Sequence, residues 1–293
     1  MQVHNKYFYY QKAIPVETCK KIISLGLSKM VVDEQKGIPK VASTFDNKEK
    51  GGESITGEKA SEKIMTAGMT REGLRKKGID EKKAYVRDSE ISWLNDKWLY
   101  DLFHPYIHQA NQKSGWNWEW DFSESFQFTV YHGRKQNGGF YGWHADGQSD
   151  WIGAYKSAIK IDEKIWKPAK RKQDGTFLLD GLGKPVPDMD AKNIPLRRNG
   201  FLAPGYSDNI AMWDKVRKIS MTVNLTDPKN YAGGNLKFDY GPHHSGKRFH
   251  TCKEIRPTGS IIIFPSFLYH CVTPVTRGTR YSLVLWSLGK PWR

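Results

Sequence analysis

The sequence predicts a mainly β protein with flanking helices, organised around a jelly roll, and three observations lead there. Apolar residues at helical spacing fall in the first part of the chain, at residues 16–27 and 97–112. From about residue 125 onward the chain breaks into short segments rich in Val, Ile, Phe and Tyr, punctuated by Gly, Pro and Asn. No strand runs through a glycine-rich turn into a helix, which argues against a dinucleotide fold. Helices first and strands afterwards is the order of a β-sandwich or jelly roll with helices packed outside.

Taken in order, residues 6–14 are aromatic and extended in character and stop at Pro15, and the next segment places Cys19, Ile22, Ile23 and Leu27 along one side of a helix. Between residues 33 and 87 apolar density falls and Gly, Lys, Glu, Ser and Thr dominate, so long loops with at most short helices are expected. A surface excursion is the plain reading of that stretch, and a lid over a site the functional one. Residues 97–112 put Trp98, Leu99, Leu102, Phe103, Tyr106 and Ala110 on one helical face, with Pro105 predicting a kink or a split. Trp116, Trp118, Trp120 and Phe122 then alternate at a period of two, as in a strand. Further strands are expected at 125–132, 141–145, 218–226, 235–240, 252–256, 260–264, 267–272 and 280–288, with turns at 137–139, 233–234 and 257–259. Gly233-Gly234 reads first as a hairpin turn and second as a place where backbone approaches a ligand.

At 293 residues the chain reads as one catalytic unit: an N-terminal helical and loop support region over 1–124, and a core over 125–293 interrupted by an insertion at about 147–217. Within the insertion Lys156, Lys160 and Lys164 fall at helical spacing, followed by Lys167, Lys170, Arg171 and Lys172. The plain reading is a solvated helix face leading to a hairpin around Asp174-Gly175. The functional reading is a substrate-binding flap that also uses Trp151, Tyr155 and Trp166.

Composition narrows the function classes. Hydrophobic residues make up 38% of the chain, with 11 Trp, 14 Tyr and 13 Phe, enough to bury a core and to set disorder aside. Cys19, Cys252 and Cys271 are too few and too scattered for a disulfide framework, and no C-x-x-C pair suggests a zinc knuckle, so a reducing compartment is expected. The start lacks an apolar leader, and the longest apolar stretch, 261–269, is short and broken by Pro265. The expectation is a cytoplasmic protein with no membrane partner. A net charge of +15 keeps nucleic acid, anionic surfaces and acidic substrates open as partners.

The chemistry concentrates in two segments. In Tyr141-Gly-Trp-His144-Ala-Asp146-Gly an extended backbone points His144 and Asp146 to the same side, where one ion could take an imidazole nitrogen and a carboxylate oxygen; a surface turn is the bland alternative. His270 sits in an apolar strand, where a lone His is more often a satisfied core residue. Across the turn at 276–279, Arg280 and Ser282 share one strand face. An Arg directed into a sandwich needs an anion, which a small carboxylate would supply through the forked guanidinium; an exposed Arg on the outer face is the alternative. Taken jointly, two His and one carboxylate leave open positions on a metal, the Fe(II) oxygenase arrangement. A zinc hydrolase could use the same three groups but would leave Arg280 and Ser282 without a role. His243, His244 and His250 with Cys252 match no zinc spacing and read as solvated loop residues, and Trp143 and Trp286 as core.

Three blocks carry a family likeness: Tyr141-Gly-Trp-His-Ala-Asp146, residues 218–238 (KISMTVNLTDPKNYAGGNLKF), and residues 264–286 beginning Phe264-Pro and ending at Trp286. They resemble the 2-oxoglutarate/Fe(II) dioxygenase superfamily, in its prolyl 4-hydroxylase-like branch that includes the PKHD-type hydroxylases. The resemblance covers roughly 125–286 as separated blocks, with a weaker likeness of 13–27 to the family's leading helix. It implies a double-stranded β-helix core, with His144, Asp146 and His270 as catalytic iron ligands and Arg280 as partner of the distal carboxylate of 2-oxoglutarate. Ser282 and Tyr131 are implied as further hydrogen-bonding groups, and Asn224 as a polar contact to the co-substrate. The implied reaction consumes 2-oxoglutarate and O2, releases succinate and carbon dioxide, and hydroxylates a peptidyl residue, with proline favoured, or an amino acid; ascorbate is a further implied cofactor. The insertion at 147–217 departs from the compact members of the branch. Two alternatives stay open: a nucleic-acid demethylase with the same iron chemistry, disfavoured by the single Arg-x-Ser at Arg280, and a non-catalytic jelly-roll binding protein in which His, Asp and Arg are structural.

Overall fold

The computed structural model describes residues 5–35, 87–135, 138–148, 150–196, 202–203, 205–241 and 248–292. The expected loop region therefore falls largely outside the described residues, over 36–86, as do Asn137 of one expected turn and His243 and His244. Contacts divide the chain into two units: residues 1–118, 123–146 and 218–287 form the first, and 119–122, 147–217 and 288–293 the second.

The first unit opens with β1 (Phe8–Tyr10), α1 (Val16–Gln35), β2 (Arg87–Asp88), β3 (Glu90–Leu94) and α2 (Lys97–Lys113). After β4 (Phe122–Ser123) come β5 (Phe126–His132) and β6 (Phe140–His144). The chain then passes through β7 (Lys156–Ser157), β8 (Ile159–Lys160), β9 (Trp166–Lys167) and β10 (Tyr206–Ser207). It continues with β11 (Val216–Asn224), β12 (Tyr231–Gly233), β13 (Leu236–Asp239) and β14 (Phe249–Thr251), and closes with β15 (Ile261–Pro265), β16 (Tyr269–Val272) and β17 (Val275–Gly289).

A major sheet runs β1-β15-β11-β17-β5-β3, with β12 and β4 also on β17, and a minor sheet runs β14-β13-β16-β6-β2. The long strands alternate between the two: β5 major, β6 minor, β11 major, β13 and β14 minor, β15 major, β16 minor, β17 major. That winding is the double-stranded β-helix, and it places the last strand, β17, between β11 and β5. The sheets face each other across a core in which Leu236 and Phe238 of β13 meet Ile262 and Phe264 of β15. A second cluster joins Tyr131, Tyr231 and Val275 to Tyr141 and Val272 of the minor sheet.

β5 explains why one side of the barrel is polar. Its sequence alternates Phe126, Phe128 and Val130 with Gln127, Thr129 and Tyr131, and all six are buried. The first set lies under the helices: Phe126 meets Tyr100 and Phe103 of α2, at ring-centroid distances of 4.9 and 5.6 Å. Phe128 lies against Gly26 of α1, where a Cβ would come within 2.3 Å of the ring, so only glycine lets the helix settle there. Each such Phe stabilises the fold by about 1.5–3 kcal/mol. The second set points to the opposite side, toward the other sheet.

Several expected elements differ in the structure. α1 continues to Gln35, and α2 runs unbroken through Pro105 while burying Leu99, Phe103, Ile107 and Ala110. The strand expected over Trp116–Phe122 does not form before residue 122. The Asn111 side chain takes both backbone groups of Trp118, accepting at 3.1 Å and donating at 2.9 Å, while Asn117 adopts φ +50°. The alternating Trp116 and Trp118 consequently stack on each other in an irregular segment. No strand spans 252–256; pairing ends at Thr251, and Arg256 closes a turn onto Lys253.

In the second unit the basic helix is absent. The N–H groups of Lys156 and Ala158 donate to Gly205 and Ser207 as β7 pairs in parallel with β10, and β8 pairs with β9. Those donors are unavailable to a helix, whatever the spacing of the lysines. The expected hairpin at Asp174-Gly175 is present, with Arg171 opposite Phe177. Among the described residues no helix is long and apolar enough to cross a membrane.

Candidate active site

Three ionisable side chains converge in the first unit. His144 ends β6 and His270 lies on β16, and the antiparallel register sets them directly opposite each other. Their imidazole centroids are 4.3 Å apart. Asp146 follows two residues later and is held by its backbone N–H, which donates to the Ser266 carbonyl at 2.9 Å. Its carboxylate spans the pair, with Oδ1 3.5 Å from His144 Nε2 and Oδ2 3.6 Å from His270 Nε2. One donor atom from each of the three lies within 4.8 Å of the others.

The hydrogen bonds decide which nitrogen is the donor. His144 Nδ1 lies 2.8 Å from the Gly142 carbonyl, and His270 Nδ1 lies 2.9 Å from that of Leu268. A carbonyl can only accept, so each Nδ1 carries a proton and Nε2 is the ring nitrogen that faces Asp146. Burial, reinforced by His144, pushes the His270 imidazole down to about 4, so it stays neutral near pH 7. Two imidazoles and one carboxylate on one side of a common point suit a divalent transition metal, and the Nδ1–carbonyl bonds are the outer contacts that would orient such ligands. Phe264 packs edge-on against His270 at 4.8 Å, and Tyr141 stacks on His144 at 3.6 Å.

On the facing sheet, Arg280 of β17 is 2% exposed. Among the described residues its Nη1 has no hydrogen-bond partner and no carboxylate pairs with it. Tyr131 is its register partner on β5, and the guanidinium carbon lies 5.4 Å from that ring's centroid. Gly234, at φ +61°, leaves room for the side chain: a Cβ there would sit 2.9 Å from Arg280 Cδ. A buried guanidinium with an orphan N–H in a glycine-lined cradle fits an anionic ligand. Ser282, two residues along the same strand face, is also buried.

Asn224 is placed differently from the expectation. Its amide donates to the Thr226 carbonyl at 2.9 Å and to the Arg256 carbonyl at 2.7 Å, which uses both N–H groups. Its Oδ1 lies 3.5 Å from the Tyr231 hydroxyl, so it braces that ring and has no N–H left for a carboxylate. His243 and His244 lie outside the described residues; among those described, the group of metal-ligating side chains that converges is His144, Asp146 and His270, and His250 Nε2 meets the Tyr7 hydroxyl at 3.0 Å. Sequence reasoning missed Arg87, a buried guanidinium 4.6 Å from the Tyr141 ring centroid. The available signal was an Arg-x-Ser opening the strand that leads to Trp93.

Residues 199–288 match the family model of the 2OG-Fe(II) oxygenase superfamily, a span that contains His270, Arg280 and Ser282. A PKHD-type hydroxylase of Klebsiella pneumoniae is 39% identical over 70 residues, 23% of this chain and 27% of that protein. The PKHD-type hydroxylase YbiX of Escherichia coli is 37% identical over the same length and shares. The chain thus spans about a quarter of the length of the curated relatives it matches. Among solved structures, the viral collagen prolyl hydroxylase of Paramecium bursaria Chlorella virus-1 has a TM-score of 0.46 at 12% identity, covering 98% of this chain and 97% of that one. A Pseudomonas putida prolyl-4-hydroxylase has a TM-score of 0.43 at 12% identity, covering 99% and 95%. Residues 199–288 thus resemble the 2OG-Fe(II) oxygenase superfamily, and a 70-residue stretch of the chain is similar to PKHD-type hydroxylases.

Proposed function

We propose that the chain is a 2-oxoglutarate- and Fe(II)-dependent dioxygenase that hydroxylates a peptidyl residue, with proline favoured over a free amino acid, and releases succinate and carbon dioxide. The observation that carries the proposal is the Asp146 carboxylate spanning two imidazole Nε2 atoms whose partner nitrogens are both tied to carbonyls. The preference for a peptidyl proline follows from the resemblance of residues 141–146, 218–238 and 264–286 to the prolyl 4-hydroxylase-like branch.

In this reading His144 Nε2, His270 Nε2 and Asp146 hold Fe(II), and the carboxylate offsets part of the metal charge. Arg280 takes the distal carboxylate of 2-oxoglutarate through its forked N–H groups, with the hydroxyls of Ser282 and Tyr131 beside it. Iron and 2-oxoglutarate, when bound, supply the oxidising power by coupling decarboxylation with O2 to hydroxylation of a substrate C–H bond. Phe264 and Tyr141 cover the imidazoles and exclude water from around the ligand atoms. Ascorbate enters as the reductant that keeps free iron ferrous.

The catalytic core of the proposal is residues 125–293 with the insertion at 147–217, supported by residues 1–124. A reducing, cytoplasmic setting is supported by Cys19, Cys252 and Cys271, all buried free thiols. The test is incubation with Fe(II), ascorbate, O2 and 2-oxoglutarate against proline-containing peptides and free proline, with mass spectrometry of the products. A peptide gaining one oxygen atom, with matching succinate, supports the proposal. Turnover of free proline alone would remove its peptidyl part, and no 2-oxoglutarate-dependent product with any substrate would count against the whole.

A further inference from the structure

We infer that Arg87 and Tyr141 are positioning residues for the proposed iron centre: the guanidinium holds the Tyr141 ring flat against His144, and the stack fixes the plane of that imidazole. The inference rests on the iron-centre reading and concerns residues to which that reading gives no part in fixing the metal.

β2 contributes only two residues to the edge of the minor sheet, and its register sets Arg87 opposite Tyr141 of β6. The guanidinium carbon lies 4.6 Å from the Tyr141 ring centroid. That ring lies 3.6 Å from the His144 imidazole, with 20° between the planes. The guanidinium is itself immobilised. Its Nε donates to Ser89 Oγ at 2.7 Å, and Nη2 donates to Gln127 Oε1 at 2.6 Å and Thr129 Oγ1 at 3.2 Å. Gln127 and Thr129 belong to β5, so these bonds tie the edge of one sheet to the inner face of the other.

Arg87 is 7% exposed, and all three of these acceptors are neutral. A buried guanidinium held by neutral groups and an aromatic face is a costly way to fill space, since an apolar side chain would need no desolvation. The geometry gives the charge a task that an apolar side chain could not perform, because the cation attracts the π face and keeps the ring parallel to the imidazole. His144 needs that constraint more than His270 does. Its Nδ1 bond fixes one edge of the ring, its side chain is 14% exposed against 8% for His270, and among the described residues no aromatic edge like that of Phe264 closes over it.

The test is anaerobic titration of Co(II) into the full-length apo-protein, followed by calorimetry and by the visible Co(II) spectrum, for the wild type, Arg87→Met, Tyr141→Leu, Tyr141→Phe and His270→Ala. Arg87→Met and Tyr141→Leu should each weaken Co(II) binding by about tenfold, at the lower end of what loss of an outer contact to a ligand produces, and should alter the spectrum. Tyr141→Phe keeps the ring and should retain wild-type affinity and spectrum. Folded Arg87→Met and Tyr141→Leu proteins with wild-type affinity and spectrum would overturn the inference. So would a Tyr141→Phe protein as impaired as Tyr141→Leu, which would assign the effect to the hydroxyl. If Arg87→Met does not fold, Tyr141→Leu decides alone, because Tyr141 is only partly buried. A wild type that binds Co(II) no better than His270→Ala would instead remove the iron centre, and this inference with it.

Discussion

His144 and His270 face each other across paired strands, and each gives its Nδ1 proton to the carbonyl two residues earlier in its own chain, Gly142 at 2.8 Å and Leu268 at 2.9 Å. The repeated local geometry turns both Nε2 atoms toward one carboxylate. Preorganisation of this kind removes most of the ordering cost of binding an ion.

Removing the carboxylate should therefore separate metal binding from folding. Asp146→Ala should lose more metal affinity than the roughly 10–100-fold typical for loss of an outer partner, with turnover abolished. The apo-protein should melt close to the wild type, because Asp146 contributes its backbone N–H to the Ser266 bond and alanine retains it. Calorimetric metal titration and a thermal melt check the two halves, and retained turnover would count heavily against the ligand assignment.

Arg280 sets function against stability. Hydrogen bonds to charged groups contribute about 1.5–3 kcal/mol, so Arg280→Met should raise the 2-oxoglutarate KM by roughly 10–100-fold with smaller change in kcat. The same substitution removes a buried guanidinium with an orphan N–H. The apo-protein should consequently be as stable as the wild type or more so, which urea denaturation measures.

Gly234 tests the cradle from the other side. At φ +61° an alanine costs about 1–2 kcal/mol in backbone strain alone. Its Cβ would also press within 2.9 Å of Arg280 Cδ. Gly234→Ala should lower the melting temperature and raise the 2-oxoglutarate KM, yet leave Co(II) affinity near that of the wild type.

The depressed His270 pKa predicts how stability depends on pH. Burial and His144 hold the folded value at about 4, whereas an unfolded chain titrates near 6.5. Between those values the unfolded chain binds a proton that the folded chain does not. The contribution is thus complete above about pH 6.5 and is lost as pH falls toward 4, by about 3 kcal/mol. Denaturation midpoints of the metal-free wild type, taken relative to His270→Gln across that window, should fall with pH; a flat difference would contradict the assignment.

Much of the barrel was legible because its strands are buried on two different faces. The alternation Phe126-Gln-Phe-Thr-Val-Tyr131 shows both an apolar side for the helices and a polar side for the interior. The candidate site was legible as a joint pattern: His144 and Asp146 alternate on one segment, and Arg280 and Ser282 on another, with His270 between them in sequence. Register pairing of His144 with His270 could not be read from spacing, since it depends on which strands become neighbours.

Other features were hidden where local capture overrode periodicity. Asn111 intercepts the backbone of Trp118 and turns a period-two tryptophan run into a stacked irregular segment. Of the lysines at helical spacing, Lys156 and Lys160 sit on short strands and Lys164 in a bend, and Gly205 and Ser207 take the backbone donors of Lys156 and Ala158. Arg87 escaped notice because it closes a polar stretch and its partners, Gln127 and Thr129, are forty or more residues away. Asn224 carries the right residue type on the right strand, but its amide is consumed by two carbonyls.

The most direct test is anaerobic titration of Fe(II) and then 2-oxoglutarate into the apo-protein, watching for the weak visible charge-transfer band of the ternary complex. The account predicts a saturable band in the wild type, its absence in His270→Ala, and a shift to much higher 2-oxoglutarate concentration in Arg280→Met. No band in the wild type, with tight zinc binding in its place, would contradict the dioxygenase reading.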